Sequence, residues 1–155
     1  MNLQEYIKQL LADVIAFYYK AHSAHWNVMG PNFQQYHELF GEIYEDTFSS
    51  VDPIAEFLRK LGTQTPQNIQ DISKLTKIKV ENVKPDAVSL VNCLLNDNKI
   101  VLDCLNTAFT YATKANEQGI ANFVAERIDM HQKWQWQLSA SLGKEVNTKS
   151  APVNN

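Results

Sequence analysis

Apolar residues recur at steps of four and three along the first stretch of the chain. Ile7, Leu11, Val14, Tyr18, Ala21 and His25 fall on one stripe. That spacing is the repeat of an amphipathic helix about 25 residues, or about 37 Å, long. Asn27 to Pro31 ends it, with Gly30 and Pro31 as breakers. A second helix is predicted from near Asn32, with His37, Gly41, Tyr44, Phe48, Asp52 and Ala55 as its inner stripe and Gly62 as its close. A third starts near Pro85 or Asp86 and carries Leu90, Leu94, Val101, Leu105, Ala108 and Ala112. "KANEQG" turns the chain into a fourth helix, from about Ile120 to Leu142, with Val124, Ile128, His131, Trp134 and Leu138 inward. Gly143 stops it. Residues 1–143 thus read as one helical domain, and 144–155 as a flexible C-terminal tail.

Between the second and third helices, residues 63–86 are polar and hold two prolines, too long a stretch for a plain connection. Ile69, Ile72 and Leu75 mark a short helix inside it. Four long helices make a bundle. The two short joints make antiparallel pairs, and the long connection traverses the bundle and sets helices two and three parallel. The expected fold is all-α: a ferritin-like four-helix bundle with a short extra helix in its middle connection.

Composition removes several function classes. The 155 residues are 45% apolar and 20% charged, ordinary values for a globular domain with a real core. Fourteen basic against seventeen acidic residues give a formal charge of −3, which argues against an overall electrostatic grip on nucleic acid or anionic lipid. The N-terminus lacks the pattern of a secretory leader, and nothing approaches the roughly 20 apolar residues that span a bilayer. Cys93 and Cys104, eleven apart on one helix, would lie about 16 Å from each other, too far for a disulfide. Two unpaired thiols fit a cytoplasmic location.

Candidate chemistry is confined to a few positions. Ferritin-like bundles often hold two irons through Glu and Glu-x-x-His on facing helices. No Glu-x-x-His occurs here, so a di-iron site inside one bundle is not expected. What remains is His25 on the first helix, and His37, Asp52 and Glu56 on the second. Asp52 and Glu56, four apart, project from one side and repel unless a cation sits between them. Carboxylate oxygen with imidazole nitrogen suits iron or zinc. His37, fifteen residues before Asp52, sits about 22 Å away along the axis. A single copy therefore cannot bring both ends to one ion. A second copy, running antiparallel across a twofold axis, can.

Residues 24–62, "AHWNVMGPNFQQYHELFGEIYEDTFSSVDPIAEFLRKLG", resemble the core signature of the Dps mini-ferritins, the DNA-protection-during-starvation family. The motifs are His-Trp-Asn-Val-x-Gly-Pro-x-Phe, then His-Glu-x-Phe twelve residues after the first His, then the acids of "DPIAEFL". The likeness continues more loosely through "WQLSASLG", residues 136–143. It implies a twelve-subunit shell with a ferroxidase centre at each twofold interface, where Fe(II) is oxidised, usually by hydrogen peroxide, and stored as ferric mineral. By position, His25 matches the ligand from the neighbouring subunit, Asp52 and Glu56 the principal carboxylates, and His37 the ligand of a second iron position. Trp26 matches an aromatic beside the centre, suited to intercepting oxidising equivalents. Zinc is a substitute for iron in such a donor set.

Several features qualify that expectation. Gly41 stands where the family pattern has a carboxylate, so the second iron position is expected to be weak and oxidation slow. The alternative is a structural cage or binding shell with little or no ferroxidase activity. No Lys-rich arm precedes the first helix, so DNA binding is expected to be weak or absent. Asp52–Pro53 also reads as a helix cap with Pro at the first helical position. The resemblance favours a continuous second helix kinked near Ser49. Taken alone, Glu56 reads as a solvated surface acid, His25 as an interface histidine, His131 as a hydrogen-bonded core residue, and Trp134 as packing.

Overall fold

The structure, a computed structural model, describes residues 1–146. The expected tail lies outside those residues from 147 onward. The elements are α1 (Leu3–Asn27), α2 (Phe33–Ser49), α3 (Val51–Lys60), α4 (Ile69–Leu75), α5 (Ala87–Lys114) and α6 (Gln118–Ser141). Each long helix starts or stops where local chemistry dictates. Asn2 and Glu5 form a reciprocal capping box at the head of α1. Asp86 caps α5 by accepting the Ser89 N–H. Gly30 takes a φ of +113°, which lets the chain reverse after α1.

α1 and α5 run antiparallel. Met29 N–H donates to the Pro85 carbonyl at one end, and the Tyr6 and Tyr111 rings meet at 4.5 Å at the other. Since α2 doubles back along α1, α2 and α5 are parallel, as the long connection requires. Phe17, Phe40, Ile43, Ile54, Leu58, Leu94, Leu105 and Leu138 are all wholly or almost wholly buried at the centre, each contributing about 1.5–3 kcal/mol.

The second long helix is bent. α2 ends at Ser49, α3 begins at Val51, and Ser50 between them keeps helical backbone angles. Pro53 explains the bend: it has no N–H for the carbonyl four residues back, and its ring crowds that carbonyl. Asp52 lies inside the first turn of α3, not at its cap. The stripe expected to face inward on this helix is corrected by the structure. Phe40, Gly41, Ile43, Thr47, Ser50, Ile54, Phe57 and Leu58 are the buried positions, so of the expected stripe only Gly41 is buried; His37, Tyr44 and Ala55 are half-buried, Phe48 is 57% exposed and Asp52 is exposed. Two equally periodic stripes compete on this helix, and the one with Phe40, Ile43, Ile54 and Leu58 takes the core.

Buried polar groups tie the helices together. Asp13 on α1 accepts from Thr76 Oγ1 at 2.8 Å and from the Lys77 N–H at 2.7 Å, which pins the end of α4 to the bundle. On the opposite side, Arg127 makes a two-pronged contact with Asp46, 2.8 Å on each arm, and the Trp134 indole N–H donates to the same carboxylate. Burial pushes the Asp46 carboxyl up, but the Arg127 guanidinium and the Trp134 donor together bring it below its ordinary value. His131 donates from Nδ1 to Asn98 Oδ1 at 2.7 Å, and Arg127 faces its Nε2 at 3.4 Å.

His131 is wholly buried. Burial first, then the Arg127 charge, takes its pKa down to about 3. The unfolded chain binds a proton there below about 6.5, the fold only below about 3. Stability is therefore intact above about pH 6.5 and falls as pH drops through that window, at up to about 1.4 kcal/mol per pH unit. Chemical denaturation at pH 7 and pH 5 checks this: His131→Gln should escape about 2 kcal/mol of the acid loss seen in the unaltered chain. Equal losses in the two proteins would refute it.

Candidate metal centre

His25 occupies the last turn of α1 and His37 the second turn of α2, facing each other across the Gly30 reversal. Their bonding is reciprocal. His25 Nδ1 donates to the His37 carbonyl at 2.6 Å, and His37 Nδ1 donates to the His25 carbonyl at 2.7 Å. A carbonyl only accepts, so both Nδ1 atoms carry a proton, and in the neutral ring this leaves the lone pair on Nε2. The rings stack 3.7 Å apart at 16°, with Phe33 5.1 Å beyond His37. The two imidazoles are held in one orientation by these contacts.

Gly41, one turn after His37, packs beneath the His25 ring. Asp52 and Glu56 both lie on α3, both exposed, one turn apart on one face. The structure thus joins His25 to His37 and Asp52 to Glu56, but not one pair to the other. Among the described residues of one chain, no three His, Cys, Asp or Glu side chains gather into a group able to hold a metal.

Between the two pairs runs an aromatic ladder. Phe48 meets Tyr18 at 4.9 Å, His22 stacks on Tyr44 at 3.8 Å, and Trp26 lies 3.9 Å from His22. Trp26 is 55% exposed. Burial, and then the neighbouring His25, lower the pKa of His22, which favours its neutral form. From the sequence His22, one turn before His25, reads as a residue supporting the site or lying at an interface; its stacking on Tyr44 is not legible there.

A cavity of about 640 Å³ lies elsewhere, between α1, residues 78–85 and α5. It contains none of these four residues. Its charges satisfy one another: Lys20 pairs with Asp97 and Glu81. Burial works against the Lys20 charge, but the Asp97 carboxylate outweighs it and keeps the ammonium protonated. Cys93 and Cys104 are unpaired, and burial pushes their thiols up to about 11 and about 12. Protonated thiols are poor nucleophiles, so burial leaves both cysteines weakly reactive.

A family profile for the ferritin-like domain matches residues 4–146, so the chain belongs to the ferritin-like family. Its relatives place it in one branch of that family. An uncharacterized protein of Haemophilus influenzae is 31% identical over 90% of this chain and 88% of its own. The DNA protection during starvation protein of Helicobacter pylori is 29% identical over 92% and 99%. The crystal structure of the Dps protein of Vibrio cholerae, described as a member of a broad superfamily of ferritin-like diiron-carboxylate proteins, is also similar. It superposes with a TM-score of 0.86 at 26% identity, covering 90% of this chain and 88% of that one. This is a Dps-type mini-ferritin.

Proposed function

We propose that this chain oxidises and stores iron as one subunit of a closed shell, and so limits oxidative damage. Fe(II) is the substrate. It binds between His25 of one copy and Asp52 and Glu56 of a second copy related by a twofold axis. The reciprocal locking of His25 and His37, which leaves both Nε2 atoms free, is the observation that carries this reading. The exposed aromatic face formed by Trp26, Phe33 and Phe48 supports it, because a second copy seated there would cover that face and bring the acids of α3 to the imidazoles. A dodecamer is the assembly this family likeness favours.

The acids would give the centre its direction. Hard oxygen donors stabilise Fe(III) more than Fe(II), so Asp52 and Glu56 favour electron loss. One hydrogen peroxide takes two electrons and two protons to become two waters, and two Fe(II) become two Fe(III). His37 lacks a carboxylate partner at Gly41, so the second position binds weakly and one firm iron supplies one electron at a time. Trp26, exposed beside this end of the helix pair, is the group placed to lend the second electron, which a later Fe(II) returns to it. Slower oxidation than with two full iron positions follows. Zinc would compete for the same donors.

Stopped-flow oxidation of Fe(II) by peroxide tests the reading. Asp52→Ala combined with Glu56→Ala should abolish the protein-catalysed phase. Equal rates in the two proteins would leave the second reading, a cage without useful ferroxidase activity, which Gly41 favours. The charge of −3 supports protection by removing iron and peroxide, with little or no direct binding to DNA. Free, protonated thiols are consistent with a cytoplasmic setting. No helix among the described residues is long and apolar enough to cross a membrane.

A further inference from the structure

The absent side chain at Gly41 has a direct neighbour. A Cβ built there would lie 3.2 Å from His25 Nδ1 and 3.3 Å from its Cε1. The ring has little freedom to retreat. Its Nδ1 is already committed to the His37 carbonyl at 2.6 Å, its face is stacked on His37 at 3.7 Å, and Tyr44 stands edge-on at 5.2 Å. A side chain at 41 would have to displace the ring or lengthen that hydrogen bond.

We propose that Gly41 is the seat of His25, a positioning residue that lets the imidazole lie against the α2 backbone with its Nδ1 bonded and its Nε2 presented. A Cβ at this position and the observed His25 ring press on the same space, so the ring would have to give by a few tenths of an ångström. The missing acid is thus accompanied by a close seat for the His25 ring against the α2 backbone. The proposal rests on the reading of His25 as a metal ligand for its purpose, but its geometry stands without any metal.

A double-mutant cycle on the metal-free protein decides it. Helix-interior Gly→Ala ordinarily stabilises, because alanine loses less backbone freedom. With His25 in place, Gly41→Ala should instead lower the melting temperature. In the His25→Ala background, where the ring is gone, the same change should raise it. A shift of the same sign in both backgrounds overturns the proposal, and a Gly41→Ala chain that folds only when His25 is also removed supports it. Calorimetry with Zn²⁺ supplies the functional arm: Gly41→Ala should weaken binding about tenfold, the usual effect of losing an orienting partner of a ligand. Unchanged affinity overturns the positioning role. If Zn²⁺ binding survives Asp52→Ala with Glu56→Ala, the shared-centre reading fails, while the sign reversal still judges the seat.

Discussion

Arg127→Ala is expected to destabilise the bundle by about 2–3 kcal/mol, the cost of depriving a part-buried carboxylate of its charged partner. Arg127 is buried, and its guanidinium satisfies both oxygens of Asp46. Removing it leaves Asp46 with only the Trp134 donor, in a site where burial already disfavours the anion. It also removes the donor that faces His131 Nε2. Arg127→Lys should rescue little of the loss, because an ammonium cannot reproduce the planar two-pronged contact. Urea denaturation near neutral pH measures both effects. A loss under about 1 kcal/mol for the alanine variant would show that the pair contributes no more than an exposed ion pair.

That network explains what could and could not be read from the chain. α1, α5 and α6 each carry one apolar stripe, so Leu94, Val101, Leu105, Val124 and Leu138 were legible as core, and all are buried. α2 carries a second stripe, rich in Tyr44, Phe48 and Gly41, that satisfies the same periodicity. Nothing in a single sequence says whether an aromatic stripe turns to its own core or outward to a second copy. Asp13, Asp46 and Arg127 were not legible as structural residues either. The signal was present in weak form: Asp13 sits among Leu10, Val14 and Phe17, and a charged residue on an apolar stripe must have a partner. The partner lies far away in sequence, at 76–77 for Asp13 and at 127 for Asp46, and periodicity has no access to such pairings.

Spacing made the division of the candidate ligands legible. Two residues fifteen apart on a helix cannot share an ion, and that argument alone divided the ligands into two pairs. The structure keeps His25 with His37 and Asp52 with Glu56, as the division requires. Gly41 was legible only as the loss of an acid. Its contact with the His25 ring depends on how closely α1 and α2 approach, which no sequence pattern encodes.

Mixing two inactive variants should restore activity, and this is the sharpest consequence of a centre shared between copies. His25→Ala keeps the acids, and Asp52→Ala with Glu56→Ala keeps the imidazoles. Each homogeneous assembly lacks half of every centre and should oxidise no Fe(II) beyond the protein-free rate. In a twofold interface each surface serves both partners, so a mixed pair carries one centre with both halves intact and one with neither. Random reassembly from equal amounts then yields intact centres at about one quarter of the native number. The rate of peroxide-driven oxidation should recover in the same proportion after the variants are unfolded together and refolded. If one copy supplied all the ligands, each mixed assembly would contain only crippled centres and recover nothing. The experiment thus separates a shared centre from an internal one without locating the iron. Its control is built in, because the same two proteins refolded apart and then combined should stay inactive.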